Sequence, residues 1–367
     1  MRVMIGCLAI LSLAVPATAS VSVEMHDDGS VVVEGQRYAT IEEFQMSEQF
    51  RTGGHRCATK TPAQVDISPL LGAAGGADCS FTSTTIRPQY EFDVKGGTIY
   101  RVPVVFHIVR RDNGFGDVSE ALVLSQLDII NEDFRALTGT PGAPGVDTGF
   151  EFYLPDTDPD GFPTTGIYFY NNDDWFSDPG PQVFNSMKSA LAWDTTRYLN
   201  IYSNDSAGAL GYATFPQNEG GTINDGVVLL WSSVGRDAPN GGIYDQGRTG
   251  THEIGHWLGI FHNFSGSCGM PGQPYTSGDL VGDTAPQEFP LFNCPAGSAT
   301  CGSTDDIDNY MNYTQDTCMS AFTAEQTNRM RCSFENYRQE IGNLLPIFGD
   351  NFETGDLTRW TSSVSGI

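Results

Sequence analysis

Residues 252–262 read His-Glu-Ile-Gly-His-Trp-Leu-Gly-Ile-Phe-His, an H-E-x-x-H-x-x-G-x-x-H pattern. His252 and His256 are four residues apart, so a helix stacks them on one face, where both imidazoles can reach one metal ion. Gly259 has no Cβ and can turn the chain in a conformation other residues avoid. That turn brings His262 back as a third ligand. Three neutral nitrogens leave a fourth position open to water, which is the layout of a catalytic zinc site and not of a closed structural one. Glu253, beside the first ligand, is placed to take a proton from that water. These residue types at this spacing describe metal-assisted hydrolysis of an amide bond. A bare H-E-x-x-H arises readily on a solvated helix face. The extended form is far more restrictive, and three of the chain's six histidines fall inside it.

Downstream lies Asn309-Tyr310-Met311-Asn312-Tyr313. In the metzincin zinc peptidases a Met-containing turn underlies the metal and a Tyr just after it borders the site. Met311 and Tyr313 match that arrangement. Further segments resemble the pappalysin branch of the metzincins: Arg101 to Val109 its first strand, Gln126 to Arg135 its first helix, Trp257 within the zinc motif, and Gly278 to Thr284 the loop beyond it. The resemblance spans residues 98–343 and is loosest over 140–200.

That resemblance implies an α+β, metzincin-type zincin. A twisted mixed N-terminal sheet would carry a backing helix and an active-site helix. An irregular, disulfide-stapled C-terminal subdomain would end in a helix. It implies catalytic roles for Glu253 and Tyr313, zinc on His252, His256 and His262, and structural roles for Met311 and Gly259. It implies disulfides Cys268–Cys301 and Cys294–Cys318, where sequence alone allows three pairings of four cysteines. Calcium is expected on Asp279, Asp283 and Thr284, hard oxygen ligands in a Gly-rich loop; a solvated acidic loop is the plainer alternative.

The elements that must position these groups follow from the rest of the chain. Met1–Ser20 combines Arg2, an apolar run from Val3 to Val15 and Ala17-Thr18-Ala19, the pattern of a secretory signal peptide cleaved after Ala19. No later stretch has membrane-spanning length. Residues 20–86 read as a propeptide. Within it, Phe50 to Thr59 contains Arg56-Cys57-Ala58-Thr59, similar to the cysteine-switch segment of pappalysin proforms. A Cys57 thiolate would fill the open zinc position and exclude water. The family pattern favours Gly where this chain has Ala58. The bland alternative pairs Cys57 with Cys79; otherwise Cys79 pairs with Cys332, or Cys332 is a buried thiol. Residues 73–86 are small and polar and suit a processing loop, with Arg87 as first residue of the mature enzyme by likeness to relatives. Residues 87–345 form the peptidase domain and 346–367 a C-terminal tail.

Within the peptidase domain, residues 100–110 read as an apolar strand and 118–137 as a helix with a core stripe of Val123, Leu127, Ile130 and Phe134. Residues 138–181 read as a long loop around one short strand, Phe150–Tyr153. A helix follows over 182–192, then a strand at Leu199–Ser203. Gly211–Pro216 reads either as an edge strand that pairs with extended substrate backbone or as an ordinary strand. Asp225–Leu230 reads as a buried strand, and 246–258 as the active-site helix. Thr323 with Gln326 forms a capping box that opens a last helix over 323–343, with a stripe of Met330, Phe334, Tyr337 and Ile341.

Composition sets outer bounds. With 39% hydrophobic and 17% charged residues, the 367-residue chain has ample core for a soluble protein. Its 45 acidic against 19 basic residues give a net charge of −26, which repels nucleic acid and anionic lipid and suits hard cations. The expected partners are polypeptide substrates. The expected function is a secreted zinc endopeptidase made as a latent proform. Its rivals are a catalytically silent zinc-binding adhesion or scaffold protein and a hydrolase of non-peptide amides. Asp316, close to the Met-containing turn, could favour a basic residue just after the scissile bond.

Overall fold

The computed structural model describes residues 98–342 apart from 179 and 181–184, and upstream residues 23–25, 30–33, 35–40, 43–44, 47–53, 56–59, 79 and 92–94. The expected signal peptide, Arg87 and the tail after residue 345 lie outside them. Upstream, β1 (Val23–Met25), β2 (Val31–Val33) and β3 (Gln36–Tyr38) form a small antiparallel sheet. A short helix, Glu48–Gly53, follows it.

The main sheet is built on β4 (Tyr100–Arg110), buried without interruption from Val102 to Val109. Such a continuous apolar run marks a strand covered on both faces. β5 (Phe150–Tyr153) and β6 (Ile167–Asn171) pair parallel with its first and second halves. On the other side come β7 (Leu199–Asn204), parallel to β4, then β8 (Gly211–Ala213) and β9 (Val227–Leu230). β9 runs parallel to β7, and β8 lies antiparallel to β9 at the sheet edge. The sheet is therefore mixed.

The loop expected over 138–181 is shorter than the sequence reading had it. It contains β6 and a helical turn, Asp173–Phe176. β6 is five residues long with a half-exposed aromatic face, so it carries little apolar periodicity. Its stability comes from the partner strand: Tyr168 and Tyr170 flank the His107 ring of β4, with centroids 6.4 and 6.1 Å away.

Three helices complete the frame. The backing helix, Glu120–Phe134, is N-capped by Ser119, which accepts from Leu122 N–H. It buries Val123, Ile130 and Phe134, as the stripe requires, with Leu127 half-buried. The active-site helix is Arg248–Trp257, buried along its whole length. The C-terminal helix, Ala324–Tyr337, opens on the Thr323–Gln326 capping box. It ends short of the expected 343 because Arg338 leaves helical geometry and turns inward. Its guanidinium pairs with the buried Asp225 and lies 3.8 Å from the Trp257 ring centroid. A short turn, Gln339–Gly342, follows.

Between the last two of these helices the chain is irregular and stapled. Cys268 pairs with Cys301 and Cys294 with Cys318. A third disulfide joins Cys79 to Cys332 of the C-terminal helix, and Cys57 is a free thiol. No helix among the described residues is long and apolar enough to cross a membrane.

Candidate active site

The active-site helix begins at Gly247, whose φ of +73° suits glycine, and no side chain of its own residues caps it. The cap comes from Asp316, whose Oδ2 accepts from Gln246 N–H at 2.9 Å and Arg248 N–H at 3.2 Å. A carboxylate at a helix N-terminus also satisfies the helix dipole. From the buried flank, Asp133 of the backing helix pairs with Arg248 and accepts from Thr251 Oγ1 at 2.6 Å.

This helix presents His252 and His256 on one face, and the chain turns at Gly259 (φ +92°) to bring in His262. A Cβ at Gly259 would lie 2.4 Å from Ser333 Oγ, so the C-terminal helix leaves room only for glycine there. Each helical imidazole is oriented by a main-chain carbonyl: His252 Nδ1 donates to Tyr310 O at 2.6 Å and His256 Nδ1 to Ile260 O at 2.7 Å. Because a carbonyl only accepts, both Nδ1 atoms carry the proton and both Nε2 atoms offer lone pairs.

His256 Nε2 lies 3.0 Å from His262 Nε2, and His252 Nε2 is buried with no hydrogen-bond partner. A buried lone pair without a donor is unfavourable, and at His252 Nε2 a cation would relieve it. Tetrahedral nitrogen ligands about 2.0–2.1 Å from zinc stand about 3.3 Å apart, close to the spacing observed. Burial and mutual repulsion hold the His252 and His262 pKa values well below the ordinary imidazole range, and burial lowers His256 to about 4, so all three are neutral ligands. The residues fit a zinc ion.

Cys57 completes the cluster. Its Sγ and one nitrogen from each of His252, His256 and His262 all lie within 4.8 Å of one another. Burial and the Glu253 carboxylate push the thiol pKa up, so a thiolate here requires a nearby cation. The segment around Cys57 lies along β8, with a parallel bridge to Gly211 and Ala58 N–H donating to Gly211 O at 2.9 Å. Tyr313 donates its hydroxyl to Cys57 O at 3.3 Å, with its ring 5.0 Å from that of His262.

Glu253 is buried, and burial pushes its carboxyl pKa up to about 8 against the pull of Thr59, Cys57 and Arg56. Its Oε2 accepts from Thr59 Oγ1 at 2.8 Å, while Oε1 has no partner. The neighbouring Arg56 is fully buried. Its guanidinium lies 3.3 Å from Asp316 Oδ1, 5.0 Å from the Tyr244 ring centroid and 2.9 Å from Met319 Sδ.

Met311 is buried against the active-site helix. A Cβ at Gly255 would sit 2.6 Å from its Sδ. The glycine inside H-E-I-G-H is thus what lets this turn pack against that helix. Residue spacing alone gives no reason for glycine at 255, nor for glycine at 211, where a Cβ would meet Glu253 Cγ at 2.8 Å. Nor does it reveal the contact of Thr59 with Glu253. A small residue inside a zinc motif, and another opposite its Glu, were the available signals.

The calcium candidates divide. Thr284 Oγ1 donates to the buried Asp279 at 2.8 Å, so these two are together. Asp283 faces the C-terminal helix instead, accepting from Thr323 Oγ1 at 2.6 Å and Glu325 N–H at 2.9 Å.

Comparison with known proteins agrees with this geometry. The Peptidase M43 family model, described as pregnancy-associated plasma protein-A, matches residues 183–335. The chain is 39% identical over 246 residues to extracellular metalloprotease 1 of Coccidioides posadasii, covering 65% of this chain and 78% of that protein. It is 33% identical over 301 residues to an extracellular metalloprotease of Colletotrichum graminicola, covering 78% and 91%. Among solved structures, a promirolysin mutant from Tannerella forsythia superposes with a TM-score of 0.61 at 28% identity, covering 78% of this chain and 97% of that one. Mature mirolysin from the same organism, with a cleaved peptide, gives 0.54 at 34% identity, covering 67% and 96%. With the three-histidine cluster, its buried glutamate and the Met-containing turn in place, the chain belongs to the pappalysin family of metzincin zinc metallopeptidases.

Proposed function

We propose that the protein is secreted as a latent zinc endopeptidase in which His252, His256 and His262 hold the metal, Glu253 is the general base and Arg56–Thr59 is an internal plug. The observation that carries this reading is the convergence of three histidine nitrogens, two of them proton-free Nε2 atoms, beside a buried glutamate with one unpartnered oxygen. Bound zinc supplies Lewis-acid polarisation of the scissile carbonyl and of the attacking water. Glu253 takes a proton from that water and passes it to the leaving amine. Tyr313, whose hydroxyl already reaches a carbonyl in the cleft, donates to the oxyanion. β8 offers its open edge to extended substrate backbone, as it does to the 57–59 segment.

The plug also reports on specificity. Arg56 occupies a buried pocket floored by Asp316, so a substrate with Arg or Lys at the corresponding position gains a charge-assisted contact there. The name shared by the fungal relatives and the Met1–Ser20 signal pattern support export. Calcium remains our reading for the loop of Asp279 and Thr284, since burial raises the Asp279 carboxyl to about 7 and a cation there would relieve it. An unchanged melting temperature on calcium chelation would end that assignment.

The decisive experiment replaces Glu253 by Gln. The variant should keep one equivalent of zinc and lose peptide hydrolysis by about 100-fold or more. Normal cleavage by a zinc-loaded variant would remove Glu253 from its role. Retained zinc with no cleavage by the processed wild type would favour the silent scaffold instead.

A further inference from the structure

The plug and the catalytic body are joined by more than hydrogen bonds. Cys79 lies after the plug residues Arg56–Thr59 in sequence and before Arg87, yet it is bonded to Cys332 on the C-terminal helix. Both cysteines are buried, in a cluster with Phe92 and Tyr337. Gln217 Nε2 donates to Cys79 O at 2.9 Å, and Asn336 Nδ2, which donates to Cys332 O, lies 3.8 and 3.7 Å from the two sulfurs. The bridge is thus shielded from dissolved thiols by packing on the sulfurs.

We propose that this disulfide tethers the propeptide to the enzyme: a cut just before Arg87 gives a two-chain molecule that is still latent, and the plug leaves only when a peptide bond between Thr59 and Cys79 is hydrolysed. The inference rests on the plug reading above. Its logic is connectivity. With the chain cut before Arg87, residues 56–59 remain continuous with Cys79, and Cys79 remains bonded to Cys332. A covalent tether of this kind keeps the plug at an effective concentration of about millimolar. A plug of only micromolar affinity would then leave roughly one site in a thousand open. Non-covalent anchoring acts in the same direction. Val31, Val33, Tyr38, Phe44 and Phe50 of the propeptide share one buried cluster with Leu210, Leu230 and Tyr244 of the body. The segment carrying Cys79 accordingly stays in the mature enzyme, packed through Gln217 and Ser333 behind the Gly259 turn.

The test uses two full-length variants, both keeping every cysteine. One carries a recognition sequence for an exogenous protease between Cys79 and Arg87, the other between Thr59 and Cys79. After cutting, the first should run as one species on denaturing non-reducing electrophoresis and as two after reduction. Its peptidase activity should stay about tenfold or more below that of the second. Full activity after the first cut, or release of its propeptide without reductant, would overturn the tether. If the uncut protein already matches both cut forms in activity, the plug reading fails instead, and electrophoresis still decides whether the bond holds the fragments. The unreduced mass of naturally matured enzyme gives an independent check: it must contain Cys79.

Discussion

Thr59 and Glu253 are joined side chain to side chain, Oγ1 donating to Oε2 at 2.8 Å, while Ala213 N–H donates back to the same hydroxyl at 2.7 Å. On the function proposed above, the plug would engage the base as well as the metal ligands, and latency would have two arms. Replacing Thr59 by Val keeps the side-chain shape and removes the hydroxyl. A hydrogen bond to an uncharged group is worth about 0.5–1.5 kcal/mol, so the T59V proform should show about two- to tenfold more activity before processing. Equal rates of peptide hydrolysis by the two uncut proforms would show that Cys57 alone maintains latency.

Gly255 and Met311 form a second pair whose energetics can be weighed. Alanine at 255 would gain about 1 kcal/mol of helix propensity. It would also place a carbon 2.6 Å from a buried sulfur, and overpacking of this kind costs about 1–3 kcal/mol. The clash should win. Gly255→Ala should lower both the melting temperature and zinc affinity, and a smaller residue at 311 should partly restore them. A variant as stable and as tightly metallated as wild type would dismiss the contact.

Asp316 does two jobs, and a single substitution separates them. Asn keeps an oxygen that can accept from Gln246 and Arg248 N–H, so the helix cap survives. It removes the charge that meets Arg56. Asp316→Asn should therefore keep the active-site helix, weaken the hold on Arg56 in the proform, and after processing lower kcat/KM for peptides with Arg in that pocket by about a hundredfold relative to neutral residues. An unaltered residue preference in a peptide library would refute the pocket assignment.

His107 supplies a pH effect outside the active site. It is buried between Tyr202 and the β6 tyrosines, and burial lowers its pKa from 6.5 to about 4, with the hydrogen bond to Asn200 opposing the shift. Between those two pH values the unfolded chain binds the extra proton, so stability rises with pH across that window and is lost as the solution is acidified through it. The full contribution is at most about 3 kcal/mol. The difference in melting temperature between wild type and His107→Phe should shift in the variant's favour as pH falls from 6.5 to 4. A pH-independent difference would exclude His107 as the source.

Much of this centre could be read from the residues alone because local spacing encodes it. A four-residue interval on one helix fixes two ligands, and a glycine at φ +92° fixes the third. The strand β4 announced itself by a long apolar run, and the C-terminal helix by its capping box. What escaped was set by distant partners. β6 is a strand because β4 and the His107 ring stand beside it. The last helix stops at Tyr337 because Asp225 and Trp257 hold Arg338. Asp283 caps that helix, which no count of loop carboxylates could reveal. Thr59 reaches Glu253 across nearly two hundred positions.

The bridge from Cys79 to Cys332 closes a covalent ring across a sequence separation of 253, and that ring encloses both other disulfides and the three histidines of the zinc site. One internal nick anywhere inside the ring opens it without parting the halves, so self-digestion must strike twice before a piece of the molecule can drift away.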